Sequence, residues 1–295
     1  MKIYLLSPSG VPMNPVLFPT FKKTFIDNGH SFVDRIEDCD VVFMDLHTRV
    51  ADYNQSDVDW VLNNDIKLVT FDEWDRGNMS NDKYPKPLTS QQVSIMAKRM
   101  GNGVHFCRLL DKTERRPPNI HPYEKPISYE EPLLTADELF NREYDVVFIA
   151  NQSPSRDRIA EALRIDGRLN CFISIGAEKL PFEEFVRIHK LGKLFVSSGA
   201  GGFTDERKQC LFSVAGLIQE EHNQLLARPF TNLVNCIKIS NPPTKEELDT
   251  IVEIVNNKEK LYEIYKNNYI FMKRYYSKEY LSQYILDKIN KEVII

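Results

Sequence analysis

The sequence predicts an α/β protein of two Rossmann-like halves followed by a helical tail. Three observations carry this. Short apolar runs alternate with helical patterns over residues 2–110. The alternation restarts at residue 144 after a proline-rich stretch, and residues 245–295 keep helical spacing with no strand signal. A chain of 295 residues, 42% hydrophobic and 27% charged, is long enough for two cores and ordinary for a globular protein.

In the first half, "KIYLL" (2–6), "DVVFMD" (40–45), "IKLVTFD" (66–72) and "VHFCRLL" (104–110) read as buried strands. Between them "VLFPTFKKTFIDNGH" reads as a helix with Pro19 near its start and Gly29 closing it. "SDVDWVLNND" is a helix capped by Ser56, and "TSQQVSIMAKRM" is one that ends at Gly101. Residues 111–126 carry four prolines and many charges, which predicts an irregular linker with a short strand at "ISYEE" beyond it.

The second half gives strands at "YDVVFIA" (144–150), "NCFISIG" (170–176), "KLFVSSG" (193–199) and "LIQE". Its helices are "SRDRIAEALRI", with Ser153 as N-cap and Pro154 first inside, "PFEEFVRIHKLG" and "DERKQCLFSVAG". "TNLVNCIKIS" (231–240) reads as mostly extended. Thr244 and Glu247 form a capping box, and the remainder reads as helix with one break near Ser277. The expected domains are 1–125, 126–272 and a tail, 273–295, packing back on the first domain.

A net charge of −4 leaves no whole-chain footprint for nucleic acid or anionic lipid, though it leaves a local basic surface open. Five scattered cysteines with no C-x-x-C speak against a disulfide framework or a zinc cluster, and point to reduced thiols. No apolar run approaches a bilayer span, and "KIYLLSPSG" lacks a signal-peptide layout. The expectation is a cytoplasmic protein, with peripheral membrane contact left open.

In such sheets ligands bind beyond the carboxyl ends of the strands. "SSGAGGFTDER" holds three of the 12 glycines, Gly199, Gly201 and Gly202, between a strand and a helix. Its backbone N–H groups, with Ser198, Thr204 and Arg207, suit a phosphate, or the glycines only make room for a turn. "NQSPSRDR" offers Asn151, Ser153, Ser155 and Arg156 at a second such turn, and Gly176 marks a third. In the first half Ser9 and Gly10, Asp45 and His47, and Asp72, Glu73 and Trp74 follow strand ends. A carboxylate there is a candidate general base, or a plain capping group. His105 reads as a core residue, and the tyrosine-rich tail as a packing helix or a stacking surface for nucleic acid.

Residues 144–272 resemble the nucleotide-sugar-binding domain of GT-B glycosyltransferases of the spore-coat and exostosin-like kind. The likeness lies in "YDVVFIANQSPSRDRIAEAL", "KLFVSSGAGGFTDERKQC", "FSVAGLIQE" and "NPPTKEELDTIVEIVNNKEKLYEIYKNN". A fainter resemblance, in "IKLVTFDEWDR" and "DVVFIANQSPSRDR", is to phage β-glucosyltransferases acting on hydroxymethylated DNA. It points to Asp72 as catalytic aspartate and to Ser153, Ser155 and Arg156 at the diphosphate. Such enzymes usually carry a ribose-holding glutamate after the glycine turn; here the chain has Gln209, Cys210 and Leu211.

The resemblance implies two Rossmann-like domains facing a cleft. It implies transfer of a sugar, inverting and without metal or other cofactor, from a UDP-sugar to an acceptor hydroxyl. Asp72, with Asp45 behind it, would act as base. Asn151, Ser153, Ser155, Arg156, Gly176, Ser198, Gly199, Gly201, Gly202, Thr204, Arg207 and Gln209 would hold the donor. Ser9, Gly10, His47, Glu73 and Trp74 would meet a glycan or modified DNA. The alternatives are an epimerase or hydrolase using His189 and Glu178, and an inactive binding module.

Overall fold

The computed structural model describes residues 1–6, 18–46, 53–72, 90–99, 103–107, 118–124, 126–176, 180–198, 210–222 and 225–291. The chain divides into two compact units. One comprises Met1–Pro126 with Leu225–Ala227 and Lys278–Ile295, the other Ile127–Gln224 with Arg228–Ser277.

The first unit holds a parallel sheet of six strands: β1 (Lys2–Leu6), β2 (Ser31–Val33), β3 (Val41–Asp45), β4 (Lys67–Asp72), β5 (Val104–Cys107) and β6 (Ile120–Pro122). Their order is β2-β1-β3-β4-β5-β6. Strand residues alternate between two cores, as a sheet covered on both faces requires. Val41 and Phe43 join Phe21 and Phe25 of α1 (Phe18–Asp27), while Val42 and Met44 join Val58 and Val61 of α2 (Gln55–Asn63) and Ile95 of α3 (Ser90–Arg99). The last helix of the chain, Lys278–Lys291, adds Leu281, Ile285 and Ile289 to the first of these cores. Tyr284 there donates to the Pro122 carbonyl at 2.8 Å.

The second unit holds a parallel sheet of five strands: β7 (Tyr144–Ala150), β8 (Cys171–Ile175), β9 (Gly192–Ser197), β10 (Gly216–Glu220) and β11 (Ile237–Ile239). Their order is β11-β10-β9-β7-β8. Its helices are α4 (Ala136–Phe140), α5 (Pro154–Asp166), α6 (Phe182–His189), α7 (Lys245–Val255) and α8 (Lys258–Tyr275); Lys278–Lys291 is α9. The tyrosines of α8 are packing residues. Tyr265 is buried and donates to the Ser213 carbonyl at 2.9 Å, and Tyr269 donates to Glu130 at 2.7 Å.

Several local expectations are corrected. The proline-rich stretch contains strand β6, because Pro122 closes an edge strand where no ladder donor is required of it. "ISYEE" is no strand: Ile127 donates to the Tyr276 carbonyl at 3.0 Å and Glu131 N–H to Ser213 Oγ at 3.0 Å, so its backbone is spent on other partners. The cap of α2 is Asn54, whose Oδ1 accepts from Ser56 N–H at 3.2 Å. The described end of "DERKQCLFSVAG" is a 3-10 turn, Cys210–Ser213, buried throughout, and the chain enters β10 directly at Gly216. In "TNLVNCIKIS" only Ile237–Ile239 is strand. The tail breaks twice, since Asn257 starts a new helix by accepting from Lys260 N–H at 3.0 Å. Strand β2 and helix α4 were too short to read.

Among the described residues no helix is long and apolar enough to cross a membrane. All five cysteines are free thiols, and burial pushes Cys171 and Cys236 up to about 12.

Strand β6 leaves a testable mark. Burial, then the charges of Lys288 and His105, push His121 from 6.5 down to about 4. As pH falls below 6.5 the unfolded chain binds this proton before the folded one, so stability is lost between pH 6.5 and 4. The loss is up to roughly 3 kcal/mol. Urea unfolding across this range is expected to show a shallower acid loss in His121→Gln than in the parent.

Candidate functional site

Strand β7 lies inside its sheet, with β8 on one side and β9 on the other. The chain therefore leaves β7 in one direction and returns in the other, which makes the carboxyl ends of β7 and β9 the topological switch point of the second unit. "NQSPSR" follows β7 there, and "SSGAGG" follows β9.

Ser153 sits in extended backbone and caps α5, its Oγ accepting from Arg156 N–H at 3.4 Å, and Pro154 opens the helix. A 13-residue helix then points its N-terminus at this edge. Arg156 Nη1 donates to the Asn151 carbonyl at 3.0 Å, while its Nε is buried with no hydrogen-bond partner. Gly176 adopts φ +79°, and its N–H donates to the Ala150 carbonyl at 3.0 Å; a Cβ there would stand 3.3 Å from Gln152. Glycine is required because the turn after β8 is tied to the end of β7.

At the end of β9, Ser197 and Ser198 are buried. Ser197 stands in register with Gln219 of β10. The Ser197 Oγ and the Gln219 Oε1 are both buried without a partner. Further along the edge, Glu220 accepts from Ser155 Oγ at 3.0 Å and from Asn241 Nδ2 at 2.5 Å, and Asn241 Oδ1 accepts from Arg158 Nε at 3.1 Å. The Ser155 hydroxyl is thus turned to Glu220.

Asn151, Ser153, Ser155, Arg156, Gly176 and Ser198 come together at one sheet edge. Gly199, Gly201, Gly202, Thr204, Arg207 and Gln209 lie outside the described residues. Sequence reading missed Ser197, Gln219, Glu220 and Asn241. Its one available signal was polar residues ending the strands "KLFVS" and "LIQE", where buried parallel strands are otherwise apolar.

In the first unit Asp45 ends β3 and Asp72 ends the neighbouring β4, so both stand at the carboxyl edge of that sheet. The switch point there lies between β1 and β3. Ser9, Gly10, His47, Glu73 and Trp74 lie outside the described residues. His105 is a core residue, its Nδ1 2.6 Å from Thr70 Oγ1. His189 is buried too, its Nδ1 2.7 Å from the Phe185 carbonyl, which removes it as the acid or base of an epimerase; Glu178 lies outside the described residues. Among the described residues no three His, Cys, Asp or Glu side chains cluster as metal ligands.

No protein-family model and no curated protein matches the chain. Solved structures do match, end to end. An α-glucosyltransferase in complex with UDP and a 13-mer DNA containing an HMU base aligns over 98% of this chain and 99% of its own, with TM-score 0.53 and 11% identity. Anabaena Alr3699/HepE in complex with UDP aligns over 99% and 100%, with TM-score 0.57 and 10% identity. The α-glucosyltransferase bound to UDP-glucose and DNA containing an abasic site aligns over 98% of both chains, with TM-score 0.54 and 9% identity. The chain has the GT-B fold of these glycosyltransferases, two Rossmann-like α/β domains and a C-terminal helical tail.

The Ser153 cap gives a check on the local geometry. Ser153→Ala is expected to cost about 1 kcal/mol in urea unfolding, while Ser153→Asp costs far less because it restores the cap.

Proposed function

We propose that this chain transfers a sugar from a UDP-sugar to an acceptor hydroxyl. The observation that carries the reading is the buried, unpartnered Arg156 Nε beside the N-terminus of α5, at the switch point of the second sheet. Both groups offer positive potential, which Asp157 in the first turn of α5 offsets in part. The neighbours solved with UDP and UDP-glucose share this fold, which supports a nucleoside diphosphate as the anion.

In this reading Asn151, Ser153, Ser155, Arg156, Gly176 and Ser198 line the donor site, with Gly199, Gly201, Gly202, Thr204, Arg207 and Gln209 from the segment that follows β9 in sequence. The acceptor oxygen attacks the anomeric carbon, the carbon–oxygen bond to the diphosphate breaks, and its electron pair leaves with UDP. Asp72 takes the acceptor proton, with Asp45 as the second carboxylate. The helix N-terminus and Arg156 stabilise the departing charge, so the step requires no metal. Ser9, Gly10, His47, Glu73 and Trp74 belong to the acceptor side.

An aspartate base goes with inversion, and the anomeric configuration of the first-formed product tests it. The acceptor is a glycan or a hydroxymethylated base in DNA. A salt-sensitive affinity for hydroxymethylated duplex selects the second, and its absence selects the first. Five free thiols suit a reducing, cytoplasmic setting.

Thermal stabilisation by UDP, and by no other nucleoside diphosphate, is the expected result. Arg156→Ala is expected to weaken UDP binding about 10- to 100-fold. Asp72→Asn should leave UDP binding intact and lower turnover by about 10²–10⁴. EDTA should leave turnover unchanged. Stabilisation by no nucleotide sinks the donor site; turnover undiminished in Asp72→Asn sinks the base.

A further inference from the structure

Each of the two sheets ends in two edge strands, and an edge strand presents unpaired backbone groups to any extended chain that meets it. Three of these edges carry a device against such pairing. Strand β2 has three residues, β6 has three and ends in Pro122, and β11 has three and is centred on Lys238. Strand β8 has none of these. Its five residues, "CFISI" from Cys171 to Ile175, contain no charge and no proline, and every one of them is half-exposed. It pairs residue for residue with β7 over its whole length, so no bulge turns it away.

The hydrogen bonds to β7 define the open side of β8. Val146 N–H donates to the Asn170 carbonyl at 3.4 Å, and Gly176 N–H donates to the Ala150 carbonyl at 3.0 Å. Residues 170, 172, 174 and 176 therefore direct their backbone groups toward β7, because successive residues of a strand alternate. The N–H and C=O groups of Cys171, Ile173 and Ile175 point the other way, where no strand lies among the described residues. The strand is anchored within its own unit: α5 packs on it, and the Phe172 ring stands 5.6 Å from Tyr144 of β7. The chain passes between the units elsewhere. One passage follows β10 at Gln224, and the other two lie at Ile127 and Ser277, beside the end of the α8 helix that packs on β10. Strand β8 is the edge remote from β10, with β9 and β7 between them.

We propose that β8 pairs antiparallel with β8 of a second copy of this chain across a two-fold axis, joining the two five-stranded sheets into one. The occupant is a second copy because the open groups are self-complementary. They are centred on Ile173. In antiparallel register Ile173 faces its own counterpart and Cys171 faces Ile175 of the other copy, in hydrogen-bonded pairs that exchange two bonds each. Every N–H and C=O that β7 leaves open in Cys171, Ile173 and Ile175 thereby finds a partner. An uncharged strand places no like charges opposite one another when it meets itself. Closed two-fold dimers are also the commonest assembly of identical chains. The inference concerns the side of the sheet and not its carboxyl end, so UDP binding is untouched by its failure.

The test is sedimentation velocity on the full chain over a range of concentrations. A reversible dimer of twice the chain mass is expected. Ile173→Lys sets two cations opposite one another, while the lysine stem covers the same half-exposed site. It should raise the dimer dissociation constant about tenfold or more with the far-UV circular dichroism unchanged. A second variant reads the register without disturbing the fold. Cα atoms of a hydrogen-bonded antiparallel pair stand about 5.5 Å apart, within disulfide reach. Mild oxidation should therefore cross-link the double variant Cys171→Ser, Ile173→Cys far more than Cys171→Ser alone. A chain that stays monomeric at its highest soluble concentration overturns the proposal. So does a dimer that resists Ile173→Lys or fails to cross-link through position 173. Growth beyond the dimer overturns it equally, since pairing of β8 with itself closes the assembly at two copies.

Discussion

Strand β7 pairs in parallel on both sides, and the second unit is organised by that pairing. Val146 and Val147 stand in register with Cys171 and Phe172 on one side and with Leu194 and Phe195 on the other. The approach of β9 leaves no room at Gly192, where a Cβ would lie 2.5 Å from Val147 Cγ2. Glycine there lets β9 start beside β7. Once it does, the helix after β7 and the chain leaving β9 at Ser197–Ser198 must open at the same sheet edge. The first unit repeats the plan, with β1 between β2 and β3. A ligand edge in each unit follows from strand order before any side chain is considered.

The strands that form these edges were legible because buried parallel strands read as apolar runs. "DVVFMD", "YDVVFIA" and "KLFVSS" could hardly be anything else. What escaped was short or locally contrary. Strand β6 contains Pro122, and β2 is three residues long. Of the helix expected at "DERKQCLFSVAG", the described part begins at Cys210 and opens with a buried 3-10 turn, Cys210–Ser213. At the site, Ser153 and Pro154 announce a helix start from sequence alone. The Ser155–Glu220–Asn241 contacts could not be read, since they join positions 65 and 86 residues apart.

The chemistry of the edge comes from incomplete satisfaction. Buried polar groups nearly always find partners, yet Arg156 Nε, Ser197 Oγ and Gln219 Oε1 are left without one near the carboxyl ends of β7, β9 and β10. Nearby, Glu220 and Asn241 hold Ser155 and Arg158 in a closed set of hydrogen bonds. One part of the edge is rigid and finished, and the part next to it is open. Under the proposed function a phosphate-bearing ligand at the α5 N-terminus would complete the open part.

The central claim is that the N-terminus of α5 and Arg156 receive the donor diphosphate. Hydrogen–deuterium exchange with and without UDP tests it directly. The account predicts slowed exchange over residues 153–157 and 197–198 on addition of UDP. Unchanged exchange there, or slowing confined to the first unit, would contradict it.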